Sequence, residues 1–310
     1  MPRIIGELVD EIKAVSPLFA RQIEKANARL TSLSALSLQG EDYAREYLPV
    51  EIVLHAFEKI LIIIENNLSF IETISLLGIT RYLFELHIWL KSIEAQRLNS
   101  IEFFMQIYED QEKHIRNYMD RLNAEADFFD ELQLEDRLPD SLIQLSKSDP
   151  KQLTPEFVRA EIAKKEISVD LKARRRFALY RRDAVSNGYG YQAHLIRSKA
   201  VIAAQGQLDQ VLSSKSEFEK IITMPLIESR ILTAKGKRKP WKWREEAEKV
   251  SMVDKFDFIY GYTSRLIHAT PTSFYTAKKN LEREGMETFL EYCYVTLLDI
   301  DALATSLLRS

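Results

Sequence analysis

The stretch Ser69-Phe-Ile-Glu72-Thr-Ile-Ser-Leu-Leu-Gly78-Ile-Thr-Arg81-Tyr-Leu-Phe-Glu85-Leu-His87-Ile-Trp-Leu-Lys91-Ser-Ile-Glu-Ala95 decides how the chain folds. It is apolar almost all the way round a helical wheel, the pattern of a helix enclosed by other helices. Glu72, Arg81, Glu85 and Lys91 interrupt it, so it never offers the ~20 unbroken apolar residues that a membrane span requires. A helix with no polar face needs neighbours on every side. The expected fold is therefore all-α, a multi-helix bundle built around this segment.

The flanking sequence supplies those neighbours. Ile5, Leu8, Val9, Ile12 and Val15 recur at helical spacing over residues 4–15, and Leu18, Ile23, Ala26 and Leu30 continue the pattern over 17–33. Pro49 suits a first helical position, and Val50 to Asn67 reads as another buried helix. A long periodic run follows over 98–127, through Ile101, Phe104, Met105, Ile107, Tyr108 and Ile115. Further helices are expected from Thr154-Pro155-Glu156 (a cap, a first-position proline and a first-turn acid) to Ala184, then over 192–213, 216–232, 253–268 and 273–308. Ser186-Asn187-Gly188-Tyr189-Gly190 reads as a turn, and Pro271 ends the helix over 253–268. With nine Gly and nine Pro in 310 residues, the chain lacks the turn residues of a barrel, sandwich or propeller. Pro139 to Pro155 is rich in Ser, Asp and Pro, and composition makes it a linker between an N-terminal half, 1–138, and a C-terminal half, 156–310.

Composition also narrows the chemistry. The chain holds 43 basic and 46 acidic side chains, a formal charge of -3, which is no histone-like excess. A single cysteine, Cys293, excludes a disulfide framework and a cysteine zinc cluster; its apolar surroundings favour a small buried hydrophobe. The acidic run between Asp120 and Asp140 has eight Asp or Glu but neither a neighbouring His nor an EF-hand glycine, so no metal is expected there. No cofactor motif occurs, and a cytoplasmic setting fits the single thiol and the absence of an apolar leader.

Two polar stripes stand out against apolar helices. Arg81 and Glu85 are four apart and share a face, while His87 lies roughly 120° round from Arg81. Tyr260, Ser264 and His268 follow at i, i+4 and i+8, with Arg265 three before His268. A hydroxyl, an imidazole near a helix C-terminus and a guanidinium can move protons near neutral pH and hold an anion. Each stripe has an equally weighted structural reading: an ion pair that fixes packing, and a helix end closed by a histidine. The expectation is that the two stripes meet inside one bundle, because each otherwise lacks partners.

Arg-x-x-x-Glu on an early apolar helix, followed far downstream by Tyr-x-x-x-Ser-x-x-x-His, resembles the bacterial family called domain of unknown function 5677. The resemblance covers residues 50–95 and 241–270. That family is similar in style to the HEPN group of all-helical domains found among toxins and phage-defence ribonucleases. HEPN ribonucleases carry Arg-x(4–6)-His, cleave RNA without a metal and often build the site across a dimer. Arg81-x5-His87 has that spacing, whereas Arg265-x2-His268 is too short. The resemblance implies nucleic-acid processing or sensing in a defence or toxin–antitoxin setting. His268 (or His87) would be the general acid or base, Arg81 and Arg265 would stabilise charge on phosphate, and Glu85 would orient Arg81. The alternative is a non-catalytic helical partner or scaffold protein, with a nucleotide-sensing module as a third reading; a homodimer fits either.

Two basic clusters complete the inventory. Lys172, Arg174, Arg175, Arg176, Arg181 and Arg182 surround Phe177 and Tyr180; Lys235, Lys237, Arg238, Lys239, Lys242 and Arg244 surround Trp241 and Trp243. Cations neutralise backbone phosphates and exposed aromatics stack on bases, so Arg174, Arg175, Arg176, Lys237, Arg238, Lys239, Trp241 and Trp243 are candidate RNA-binding residues. The structural alternative is a helix face docked on the acidic 120–140 run.

Overall fold

Burying the apolar stripes of consecutive helices requires each to find a partner, and the computed structural model of the chain shows how they do so. It describes residues 5–68, 72–135, 140–148, 154–232, 239, 241–267 and 281–309. Among these the chain is helical nearly throughout, and no β-strand occurs. In chain order the helices are α1 (Ile5–Ala14), α2 (Ser16–Ser34), α3 (Leu48–Asn67), α4 (Thr73–Ala95), α5 (Asn99–Glu135), α6 (Asp140–Ser148), α7 (Pro155–Arg175), α8 (Arg181–Asn187), α9 (Tyr189–Leu195), α10 (Val201–Ile222), α11 (Met224–Ile231), α12 (Trp243–Lys249), α13 (Val253–Ile267) and α14 (Arg283–Arg309). A π-helical turn, Tyr43–Tyr47, leads into α3, and another, Ile196–Ala200, leads into α10.

The chain forms two compact units, residues 1–106 with 217–310, and residues 107–216. The proline- and serine-rich segment 139–155 lies inside the second unit and carries a helix, α6, where composition suggests loop. Chain order is not spatial order here: α14, the last helix, packs on α1, α2 and α4.

In the first unit α4 is the central helix. Leu76, Leu77, Phe84, Ile88, Leu90 and Ile93 are buried around its whole circumference, as an all-apolar wheel demands. It begins four residues later than the apolar run does. Glu72 takes an extended conformation, its side chain accepts from the third helical N–H, and its own N–H donates to Ser75 Oγ at 3.0 Å. This reciprocal pair satisfies two orphan donors of the helix start. Gln22 on α2 donates to Asp301 Oδ1 (2.9 Å) and Thr305 Oγ1 (2.8 Å) on α14, tying N- and C-terminal elements together. Cys293 is buried on α14 within 3.3 Å of Thr80 Oγ1, and burial pushes its thiol up to about 12, the inert hydrophobe expected from its surroundings.

In the second unit the expected helix over 156–184 is broken. It ends at Arg175, Phe177 adopts a left-handed φ of 52°, and α8 starts at Arg181. No glycine or proline marks this corner. It is held instead by α5: the nearly buried Glu125 carboxylate accepts from Leu179 N (2.8 Å) and Tyr180 N (2.7 Å), while Arg121 donates to the carbonyls of Arg176 and Phe177. Farther on, Gly188 takes a φ of 89° between α8 and α9, the turn that its sequence announces.

Candidate functional site

The site grows from the way α13 lies on α4 in the first unit. Phe84 and Ile88 of α4 pack with Met252 and Ile259 around α13, and Ala247 of α12 closes the cluster. Phe256 then meets Phe84 at a centroid distance of 6.2 Å and stacks on Tyr260 at 4.7 Å. This apolar contact fixes the register of the two helices. It places Tyr260 opposite the first half of α4, where Arg81 and Glu85 project.

Arg81 Nε donates to Glu85 Oε1 at 2.9 Å, and Arg81 Nη2 donates to Tyr260 Oη at 2.7 Å. The guanidinium also lies over the Tyr260 ring, 4.1 Å from its centroid. The two side chains of the ion pair are each 25% exposed, so the group is partly desolvated yet reachable from solvent. A guanidinium has five N–H groups in a fixed plane. Two are used here; among the described residues the others have no hydrogen-bond partner. The arrangement is an oriented cation that keeps donors for an anion, backed by a phenol and held by a carboxylate.

Ser264 is half-buried one turn beyond Tyr260, roughly 6 Å along the axis of α13. Arg265 is on the same helix, but its side chain lies outside the described residues, as does His268 altogether. His87, the alternative imidazole, is not part of this group. It is buried on α4, and desolvation lowers it to about 4 against an opposing pull from Asp299, so it is neutral at pH 7. It lines a separate recess of about 310 Å³ with Lys91, Glu94 and Asp299.

Part of each basic cluster is engaged within the chain. Trp241 stacks on Trp89 of α4 with centroids 3.5 Å apart and an interplanar angle of 12°, and Trp243 meets both rings edge-on at 5.6 and 6.3 Å. Trp241 and Trp243 are both half-buried, and one face of Trp241 is covered by Trp89. Lys237 and Arg238 lie outside the described residues; Lys239 is exposed. In the second unit Arg174 and Arg181 both pair with Asp170, Arg176 lies over Phe128 at 4.7 Å, and Lys172 pairs with Glu135. Within the 172–182 segment two carboxylates, Glu135 and Asp170, thus hold three of the six cations, and the segment keeps a basic surface. Arg175 and Arg182 remain exposed without an ion-pair partner among the described residues.

Sequence reasoning missed Glu125, whose role depends on a corner 54 residues away. It also missed the cavity beside Trp241, taken up below. Among the described residues no group of three His, Cys, Asp or Glu side chains is placed to hold a metal ion, and no helix is long and apolar enough to cross a membrane. Comparison with family models, curated proteins and solved structures finds no match to this chain.

Proposed function

We propose that the protein processes or senses RNA as a metal-independent endoribonuclease of HEPN-like style, in a bacterial defence or toxin–antitoxin setting. The observation that carries this reading is the Arg81–Tyr260 hydrogen bond, which joins two polar stripes 179 residues apart at a quarter-exposed position on an otherwise apolar helix. Arg81, oriented by Glu85, would bind a non-bridging phosphate oxygen and stabilise charge as it develops. His268, one turn past Ser264 on the sequence stripe, would take the proton of a ribose 2′-hydroxyl. That oxygen would attack phosphorus, the bond to the 5′-oxygen would break, and the leaving oxygen would take a proton from water while His268 returns its own to solvent, giving a 2′,3′-cyclic phosphate and a 5′-hydroxyl. Ser264 and Arg265 would flank the same phosphate.

The test is cleavage of a mixed set of structured and single-stranded RNAs. His268→Ala should reduce cleavage by about 10²–10⁴-fold with the helical circular-dichroism signal retained. Arg81→Ala should reduce it comparably, and EDTA should have no effect. Full activity in His268→Ala, or loss of activity with EDTA, overturns the mechanism.

A second reading, a non-catalytic helical partner protein, draws on the tryptophan cluster and on the Asp170 bridge between Arg174 and Arg181, both of which are packing devices. Wild-type inactivity on every RNA of that set would favour it.

A further inference from the structure

Beside the tryptophan cluster, and within the same unit, a cavity of about 380 Å³ opens between the start of α5, the last turn of α11, Lys239 and α12. Its size is that of a small-ligand site. Among the described residues the lining carries four cations, Arg230, Lys239, Lys242 and Lys249, against the carboxylates of Glu102 (itself engaged), Glu245 and Glu246. The pairing inside it is uneven. Lys242 donates to Glu245 Oε1 and Lys249 to Glu246 Oε1, both at 2.6 Å. Arg230 and Lys239 have no carboxylate partner among the described residues.

Both residues line the same wall of the cavity, and the backbone holds Lys239 against the end of α11. The Lys239 N–H donates to Ile231 O at 2.7 Å, and Lys239 Nζ lies 3.4 Å from the Arg230 carbonyl. Two residues on, the Trp241–Trp89 stack fixes the chain against α4, and Lys242 then stands immediately before α12. Neutral polar groups complete the lining. Gln96 is exposed at the end of α4, and Asn99 Nδ2 is committed to Ser92 O and Oγ, which leaves its amide oxygen as an acceptor.

We infer that this cavity binds a phosphate monoester, with Arg230 and Lys239 as the phosphate ligands and the Gln96–Asn99 edge beside the group that the phosphate is attached to. Arg230 and Lys239 supply donors without a carboxylate partner among the described residues, a guanidinium binds phosphate oxygens in bidentate fashion, and a monoester offers more terminal oxygens to such donors than a diester does. The site is distinct from the Arg81 group: Arg81 and Gln96 are fifteen positions apart along α4, about 22 Å of helical rise. The inference goes beyond the ribonuclease reading and does not depend on it.

The experiment is isothermal titration calorimetry of the full chain with adenosine 5′-monophosphate, with adenosine as the control. Adenosine 5′-monophosphate should bind at least about tenfold tighter than adenosine, since the phosphate makes charge-assisted hydrogen bonds. Arg230→Ala with Lys239→Ala should remove at least that factor. Arg230→Lys, which keeps the charge, should keep most of the affinity and shows that the pocket survives substitution. A short RNA with a 5′-phosphate, compared with its 5′-hydroxyl form, identifies the source: tighter binding than the mononucleotide marks a strand end, equal or weaker binding marks a free nucleotide. Indifference to the phosphate in the wild type, or unchanged binding in the double variant, overturns the inference. Binding is read without any cleavage step, so it stands or falls separately from the ribonuclease reading.

Discussion

Replacing Arg81 separates a functional from a structural role for the polar contact between α4 and α13. Arg81→Met keeps the aliphatic stem and removes the guanidinium, which loses three interactions at once: the 2.9 Å contact to Glu85, the 2.7 Å hydrogen bond to Tyr260 Oη and the cation over the ring at 4.1 Å. An i,i+4 pair contributes about 0.3–0.5 kcal/mol when exposed, an exposed cation–π contact about 0.5–1, and a hydrogen bond to a charged group about 1.5–3 before screening. At a quarter exposure Glu85 can be rehydrated, so the net cost should be about 1–2 kcal/mol, far below the 3–5 of a fully buried broken pair. Tyr260→Phe removes the hydroxyl alone and leaves the stack on Phe256, at about 1 kcal/mol. The double variant then measures the coupling, expected at about 1 kcal/mol by urea unfolding. Cleavage, in contrast, should fall at least 10²-fold in Arg81→Met, more than 2.7 kcal/mol of barrier. Coupling indistinguishable from zero would refute the contact. A stability loss above about 3 kcal/mol with cleavage unaltered would refute the catalytic role and leave Arg81 as a packing residue.

Glu125→Ala leaves two backbone N–H groups at the 176–180 corner without their acceptor, at about 1–3 kcal/mol each; hydrogen exchange at Leu179 and Tyr180 should accelerate sharply, and unchanged protection there would count against the carboxylate's role. His87 is neutral when folded with a pKa near 4, below its unfolded value of 6.5, so the unfolded chain binds its proton first as pH falls. Stability from this group is complete above about pH 6.5 and declines toward pH 4, by about 2 kcal/mol at pH 5; a His87→Gln variant should lack that component, and identical pH profiles for the two proteins would exclude it. Trp241→Ala should destabilise the first unit by about 2–3 kcal/mol and change the tryptophan fluorescence of Trp89. If it instead weakens RNA binding while leaving the melting temperature unaltered, the ring serves as a base platform after all.

The reading of α4 as an enclosed helix was available from residues alone, because a wheel without a polar face has one stable environment in water. The same holds for the Thr154 cap, whose Oγ1 accepts from Phe157 N at 3.2 Å, and for the glycine turn at Gly188. These are local features, fixed by side-chain volume, backbone freedom and hydrogen-bonding capacity within a few positions of each other. The meeting of Arg81 with Tyr260 was legible only as a need: both stripes lacked partners, and the sequence supplied no distance between them. The stack of Trp241 on Trp89 was not legible, because aromatics among lysines have the same composition in a nucleic-acid platform as in a buttress, and Trp89 is more than 150 positions away.

Sequence by itself determined the helical class, the central helix, the inert character of Cys293 and the two polar stripes. Each follows from periodicity or from the cost of leaving a polar group in an apolar surface. Tertiary structure alone decided that the last helix packs among the first ones, that Glu125 turns the chain at a corner with no breaker, that Trp241 stacks on Trp89, and that Arg230 and Lys239 line one cavity. The physical reason is common to all four. Such contacts are chosen by which apolar faces bury each other, and polar groups far apart in the chain are then carried to their partners by that packing, leaving no periodic trace in the order of residues.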